Sequence, residues 1–274
     1  MKYLCILRYV GTHFHGFQVQ PTARTVQGVL TLAAERVFGT SVLVTGCSRT
    51  DSGVHAEGFA VTLEPSEGAA LIPPENLPLA AREHLPPDLA IVSARAVGDG
   101  FHPRYDAVEK EYRYTVYAAK VMDPFLYQRA WHMPVPLLPD ALRRMNEAAS
   151  LLVGEQDFSA FRNEGSPTRS PVRQVYECRV EQDGLLYTVI IRGNGFLYNM
   201  VRIITGTLFA VGQGKYEPSD ILKMLASKKR AASGPTAPAD GLSLYRVIYR
   251  EEDLVRAVRP ARAEDGEDGE DGAE

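Results

Sequence analysis

The chain has 274 residues, 45% hydrophobic and 23% charged, an ordinary composition for a soluble globular protein of one or two domains. Its formal net charge of −4 argues against a polyanion partner, but Glu264–Glu274 holds seven acids and no base. Residues 1–263 therefore carry 30 bases against 27 acids, so the body is mildly basic and the acid belongs to the tail. The longest apolar stretch, Phe196–Val211, is interrupted by Asn199 and Arg202, so no membrane span is expected. MKYLCILRYV is broken at Arg8 and reads poorly as a secretory signal. Cys5, Cys47 and Cys178 lie far apart without a CxxC, which fits a reducing, cytoplasmic setting.

In chain order, Tyr3–Val10 alternates as a strand and GTHFHGFQVQPTAR follows as a loop. Thr25 is placed to cap a helix with Val26, Val29, Leu30, Ala33, Val37 and Phe38 on one face and Gly39 at its end. Strands are predicted at 42–45, 57–63 and 89–97, with a helix at 75–84. The segment 109–118 alternates and puts Lys110, Tyr112, Tyr114 and Val116 on one face. A helix is predicted at 139–152, and VRQVYECRV and LLYTVIIRG form a hairpin about Gln182–Asp183–Gly184. Helices at 199–211 and 219–226 and a strand at 243–250 complete the pattern. Two α+β units of similar design are expected, over 1–105 and 106–257. Residues 258–274, with a recurring EDG triplet, read as a disordered acidic tail.

Three clusters could carry chemistry. Gly46–Ala56 combines Arg49, Asp51 and His55 on a loop where a turn alone needs only Asp and Gly. A carboxylate beside a guanidinium stays ionised well below neutral pH and can act as nucleophile or base. The strand face with Lys110, Tyr112 and Tyr114 is either core packing with a snorkelling lysine or a stacking platform for a nucleic-acid base. In RGNGFLYNMVR, Arg202 interrupts an apolar helix, and a buried arginine needs a buried partner, for which Asp51 is one candidate. His13 and His15 lack a supporting ligand pattern, Gly212–Lys215 lacks Walker spacing, and no GxSxG or zinc-deaminase signature appears. No metal or cofactor is therefore expected.

SRTDSGVHAEG resembles the catalytic loop of the TruA-type transfer-RNA pseudouridine synthases. YVGTHFHGFQVQP, FHPRYDAVEKEYRY, DFSAFR, GNGFLYNMVRIITGTLFAVGQGK and GPTAPADGLSLYRV are similar to further motifs of that family, in the family order, across residues 1–250. Val10 and Ser48 depart from it, standing where Asp and Gly are usual. The resemblance implies two similar RRM- or ferredoxin-like halves whose sheets join around a central cleft, in a homodimer that binds transfer RNA. It implies conversion of uridine to pseudouridine at positions 38, 39 and 40 of the anticodon stem-loop, without metal or cofactor. By resemblance, Asp51 is the catalytic carboxylate, Tyr112 stacks on the target base, Arg202 pairs with Asp51, and Arg49 helps hold the flipped nucleotide. Two other readings stand beside it. A non-catalytic RNA-binding protein with two RRM-like halves gives no reason for Asp51 beside Arg49 and shows no RNP1 pattern. A hydrolase using Asp51 and His55 lacks a metal set or nucleophile elbow. Lys228–Arg230 reads as a solvated helix end first and a phosphate contact second, with Arg104, Lys110, Arg162, Arg169 and Arg173 as further basic candidates.

Overall fold

The computed structural model of the chain describes residues 1–163, 165 and 170–257. The expected acidic tail and Arg169 lie outside the described residues. The first set of elements is β1 (Lys2–Tyr9), α1 (Val26–Phe38), β2 (Val42–Gly46), β3 (His55–Pro65), α2 (Leu77–Arg82) and β4 (Leu89–Val97). The second contains β5 (Ala107–Tyr117), β6 (Trp131–His132), α3 (Ala141–Ser150), β7 (Gly154–Asp157), β8 (Val172–Asp183), β9 (Leu186–Gly193), α4 (Met200–Gly212), α5 (Asp220–Ser227), β10 (Leu242–Tyr249) and α6 (Glu251–Leu254).

The ten strands among the described residues belong to one mixed sheet, ordered β4-β1-β3-β10-β5-β9-β8-β7, with β2 on β3 and β6 on β5. The spatial order β4-β1-β3-β2 of the first set recurs as β10-β5-β9-β8 in the second, so the expected pair of similar α+β halves is present. They join at β3. Its far end, from Val61 to Pro65, pairs with β2, whereas its first residues His55 and Ala56 pair in parallel with Ser243 and Leu244 of β10. The loop from β2 into β3 therefore turns at the seam between the halves, and this loop carries Asp51.

Local sequence explains the elements that frame the seam. Thr25 accepts a hydrogen bond from Gly28 N (3.3 Å), and Gly39 ends α1 at φ 74°, a left-handed conformation that glycine adopts without Cβ strain. On β5, Lys110, Tyr112, Tyr114 and Val116 are buried as the alternation predicts. Tyr114 meets Trp131 edge-on, and Trp131 and Tyr187 both meet Phe209 of α4, so an aromatic cluster covers that face. The β8–β9 turn falls at Gly184 and Leu185, later than predicted, because β8 continues through Asp183 and Gly184 supplies the positive φ of 57°. Strand β7 has the sequence GEQD, without apolar alternation, and takes its form from pairing with β8.

Candidate active site

The segment Gly11–Phe17 braces the Asp51 loop from below. Phe17 N donates to Thr50 O (3.1 Å), Gly53 N to Phe14 O (3.2 Å), and the Tyr9 and Thr50 hydroxyls share a buried hydrogen bond of 2.8 Å. The Val54 carbonyl lies against the Cα of Gly11, where any Cβ would collide, so that approach requires glycine. His55 closes the base of the loop. Its Nδ1 accepts from Gly11 N (2.9 Å), which leaves Nε2 as the donor to Asp240 O (3.0 Å). Burial also pushes its pKa down, keeping the ring neutral. Both nitrogens are spent on backbone, so His55 is a brace across the seam and forms no catalytic pair with Asp51.

The carboxylate of Asp51 is about one-quarter exposed, with Oδ2 3.7 Å from Arg202 Nη1. The sequence pairing of Asp51 with Arg202 is thus brought together, but loosely. Arg202 makes shorter bonds elsewhere: Nε donates to Ala237 O (2.7 Å) and Nη1 to Asn199 Oδ1 (2.8 Å). Asn199 begins α4 in a left-handed conformation, φ 59°. Arg49, expected beside Asp51, is exposed and makes no hydrogen bond or ion pair with a described residue. Burial therefore wins, and the Asp51 carboxyl is pushed above its ordinary value, with Arg202 only partly opposing the shift. The guanidinium beside the carboxylate is thus that of Arg202, not of Arg49. A desolvated carboxylate with incomplete neutralisation is a stronger base and nucleophile than a saturated one.

Residues 6–106 and 148–250 match the family model described as tRNA pseudouridine synthase. Relatives named tRNA pseudouridine synthase A include that of Brevibacillus brevis (strain 47), 44% identical over 89% of this chain and 98% of the relative. Those of Bacillus pumilus (43%, over 91% of this chain and 99% of the relative) and Thermoanaerobacter sp. strain X514 (42%, over 90% and 98%) are similarly close. The chain belongs to the tRNA pseudouridine synthase family. Arg49, Asp51 and Arg202 fall within the matched segments of this synthase, whereas Tyr112 falls between them.

Tyr112 reaches the site from β5, between Leu244 of β10 and Ile191 of β9. Its ring lies nearly perpendicular to Phe196, with centroids 5.2 Å apart. Burial drives the phenol pKa far up, with the Ser48 hydroxyl opposing, so Tyr112 stays neutral at any physiological pH. Lys110, two residues before it, donates to Cys47 O (2.6 Å) and anchors the start of the Asp51 loop. Among the described residues no group of three or more His, Cys, Asp or Glu is placed to hold a metal.

Sequence reasoning counted GPTAPADGLSLYRV among the family-like motifs but gave the strap from Ser233 to Gly241 no role. Its carbonyls accept from Arg202 at Ala237, from Tyr114 Oη at Pro238 (2.7 Å) and from His55 at Asp240. The signal was the family-like segment GPTAPADGL, rich in small residues, in which Asp240 is the only ionisable side chain. Its contacts with Arg202, Tyr114 and His55 are made by backbone carbonyls. Asn199 and Tyr9 were missed for a related reason, since each acts by holding Arg202 or Thr50 in place.

Proposed function

We propose that this synthase converts uridine to pseudouridine at positions 38, 39 and 40 of the tRNA anticodon stem-loop, with Asp51 as the catalytic carboxylate. Isomerisation breaks the N1–C1′ bond, turns the base, forms C5–C1′ and removes the C5 proton, with no net redox change. One carboxylate suffices to open the sequence, either by attack at C1′ or C6 or by taking the 2′ proton on the way to a glycal. The loose, partly buried Asp51–Arg202 pair carries this reading, because it leaves a basic carboxylate accessible on the loop at the seam.

In this reading Tyr112 stacks on the flipped base and sits near the C5 proton, and Arg49 holds the nucleotide that has left the stack. Extrusion costs roughly a few kcal/mol, which contacts from arginine and aromatic groups offset. The halves divide near residue 105, two copies of the chain act together as a homodimer on one tRNA, and the setting is the cytoplasm.

The test uses tRNA carrying tritium at uridine C5. Wild-type protein releases label, and Asp51→Asn lowers release by about 10³-fold or more while RNA binding persists. Binding without release by the wild type overturns the reading in favour of a non-catalytic RNA-binding protein. Tyr112→Phe reduces turnover while retaining binding; unchanged turnover removes its part in proton transfer.

A further inference from the structure

We propose that a basic pocket beside the Asp51 site, between the turn that follows β7 and the end of α5, binds a phosphodiester of the RNA backbone. The cavity, about 740 Å³, is lined by Ser159, Arg162, Asn163, Lys228, Lys229 and Arg230. Four of these six residues are cations, and they arrive from two separate elements. Lys228 ends α5 in a left-handed conformation, φ 55°, which turns the chain so that Lys229 and Arg230 follow it along the pocket.

Among the described residues the charge is poorly neutralised. Lys228 pairs with Asp157 (2.9 Å). Arg230 gives its donors to neutral oxygens: Asn163 Oδ1 (3.0 Å), Ser233 Oγ (3.0 Å), Gly234 O (2.9 Å) and Thr236 Oγ1 (2.9 Å). Those bonds orient the guanidinium without cancelling its charge. The side chains of Arg162 and Lys229 make no hydrogen bond or ion pair with a described residue. Among the described residues one carboxylate, Asp157, faces these four cations and also takes the Ser159 hydroxyl, so the wall suits a phosphate, with the Asn163 amide as a neutral donor.

Two contacts tie the pocket to the segments that hold Arg202. Asn163 N donates to Tyr198 O (3.2 Å), adjacent to the Asn199 that holds Arg202. Thr236, held by Arg230, precedes the Ala237 that accepts from Arg202. A backbone phosphate seated here would fix the RNA next to the site while leaving Asp51 untouched. The inference rests on the proposed action on tRNA and adds a place where the strand is gripped.

The decisive measurement is tRNA affinity of the full chain over a series of salt concentrations. Arg162→Ala/Lys229→Ala avoids the structurally engaged Arg230. It should weaken binding by about tenfold or more at low salt, equally for tRNAs of different sequence, and flatten the log–log salt slope by about one per charge removed. Arg162→Lys should retain the slope, and Arg82→Ala, on α2, should match wild type. An unchanged affinity and slope in the double variant overturns the pocket, even with label release intact. Conversely, a wild type that releases no label refutes the catalytic reading while the salt slopes still report on the pocket. Inorganic phosphate, or a peptide of residues 264–274, bound by wild type and not by a double variant of unaltered RNA affinity, would assign the pocket to another anion and also overturn the proposal.

Discussion

The two faces of β5 treat charge in opposite ways. On one, Glu109 and Glu111 are saturated: Arg192 grips Glu109 through two bonds (2.7 and 2.9 Å) and reaches Glu177 (2.9 Å), while Arg246 (2.7 Å) and Arg113 (2.9 Å) share Glu111. Arg113 also lies over the Tyr245 ring, 3.3 Å from its centroid. On the other face, Lys110 ends on a carbonyl and Tyr112 approaches a carboxylate whose nearest guanidinium nitrogen is 3.7 Å away. The Arg192 hydrogen bonds hold Glu109 below its ordinary pKa, whereas burial lifts Asp51 above its own. A saturated carboxylate contributes to the sheet, and an under-neutralised one keeps its lone pairs for chemistry.

The largest expected break comes from Arg202→Gln. Losing this guanidinium removes the main influence that lowers the Asp51 pKa, so the carboxyl titrates still higher. The acid limb of the pH–turnover profile should move upward, with turnover at neutral pH falling by about 10²-fold as the charge that helps position Asp51 is lost. An acid limb that stays in place would show that Arg202 serves only to pin Ala237 and Asn199.

Much of this contrast was legible in the sequence, and the remainder shows what pattern reading omits. Arg202 in an apolar helix implied an acidic partner; Asp51 lies 3.7 Å from it, while the shorter bonds of Arg202 go to Ala237 O and Asn199 Oδ1. The alternation of β5 placed Tyr112 and Lys110 on the same face. Proximity in sequence did not make Arg49 the partner of Asp51: it is exposed, while Thr50 between them has its hydroxyl and carbonyl tied to Tyr9 and Phe17. Burial of Glu111 was unreadable because its two arginine partners come from its own strand and from β10, 135 residues away. The basic run Lys228–Arg230 looked like a solvated helix end, yet Arg230 is committed to four neutral oxygens, one of them on Asn163, 67 residues earlier. Such long-range partnering is set by topology and leaves no local periodicity.

Glu109→Gln tests the saturated face. It breaks the paired contact to Arg192, which keeps Glu177, so the loss of stability should be about 1 kcal/mol in denaturant unfolding at neutral pH. Label release should match wild type. A large loss of turnover would show that the two faces are coupled.

The smallest effect is also the most discriminating, because its sign is opposite. Glu109 has a folded-state pKa below its ordinary 4.5, so its contribution is present at neutral pH and is lost as pH falls through the folded value. Asp51 has one raised above 3.8, so the folded state binds the proton more tightly and the ionised carboxylate costs stability at neutral pH. Asp51→Asn keeps the shape and an acceptor for Arg202 while removing that cost. It should unfold at a slightly higher temperature than wild type near pH 7, and the advantage should shrink as pH falls through the folded Asp51 value, vanishing below about 4. Thermal unfolding of both variants from pH 7 down to pH 4 checks this. Were Asp51→Asn less stable than wild type throughout, Asp51 would be a structural ion-pair partner like Glu109, and the distinction between the two faces of β5 would fail.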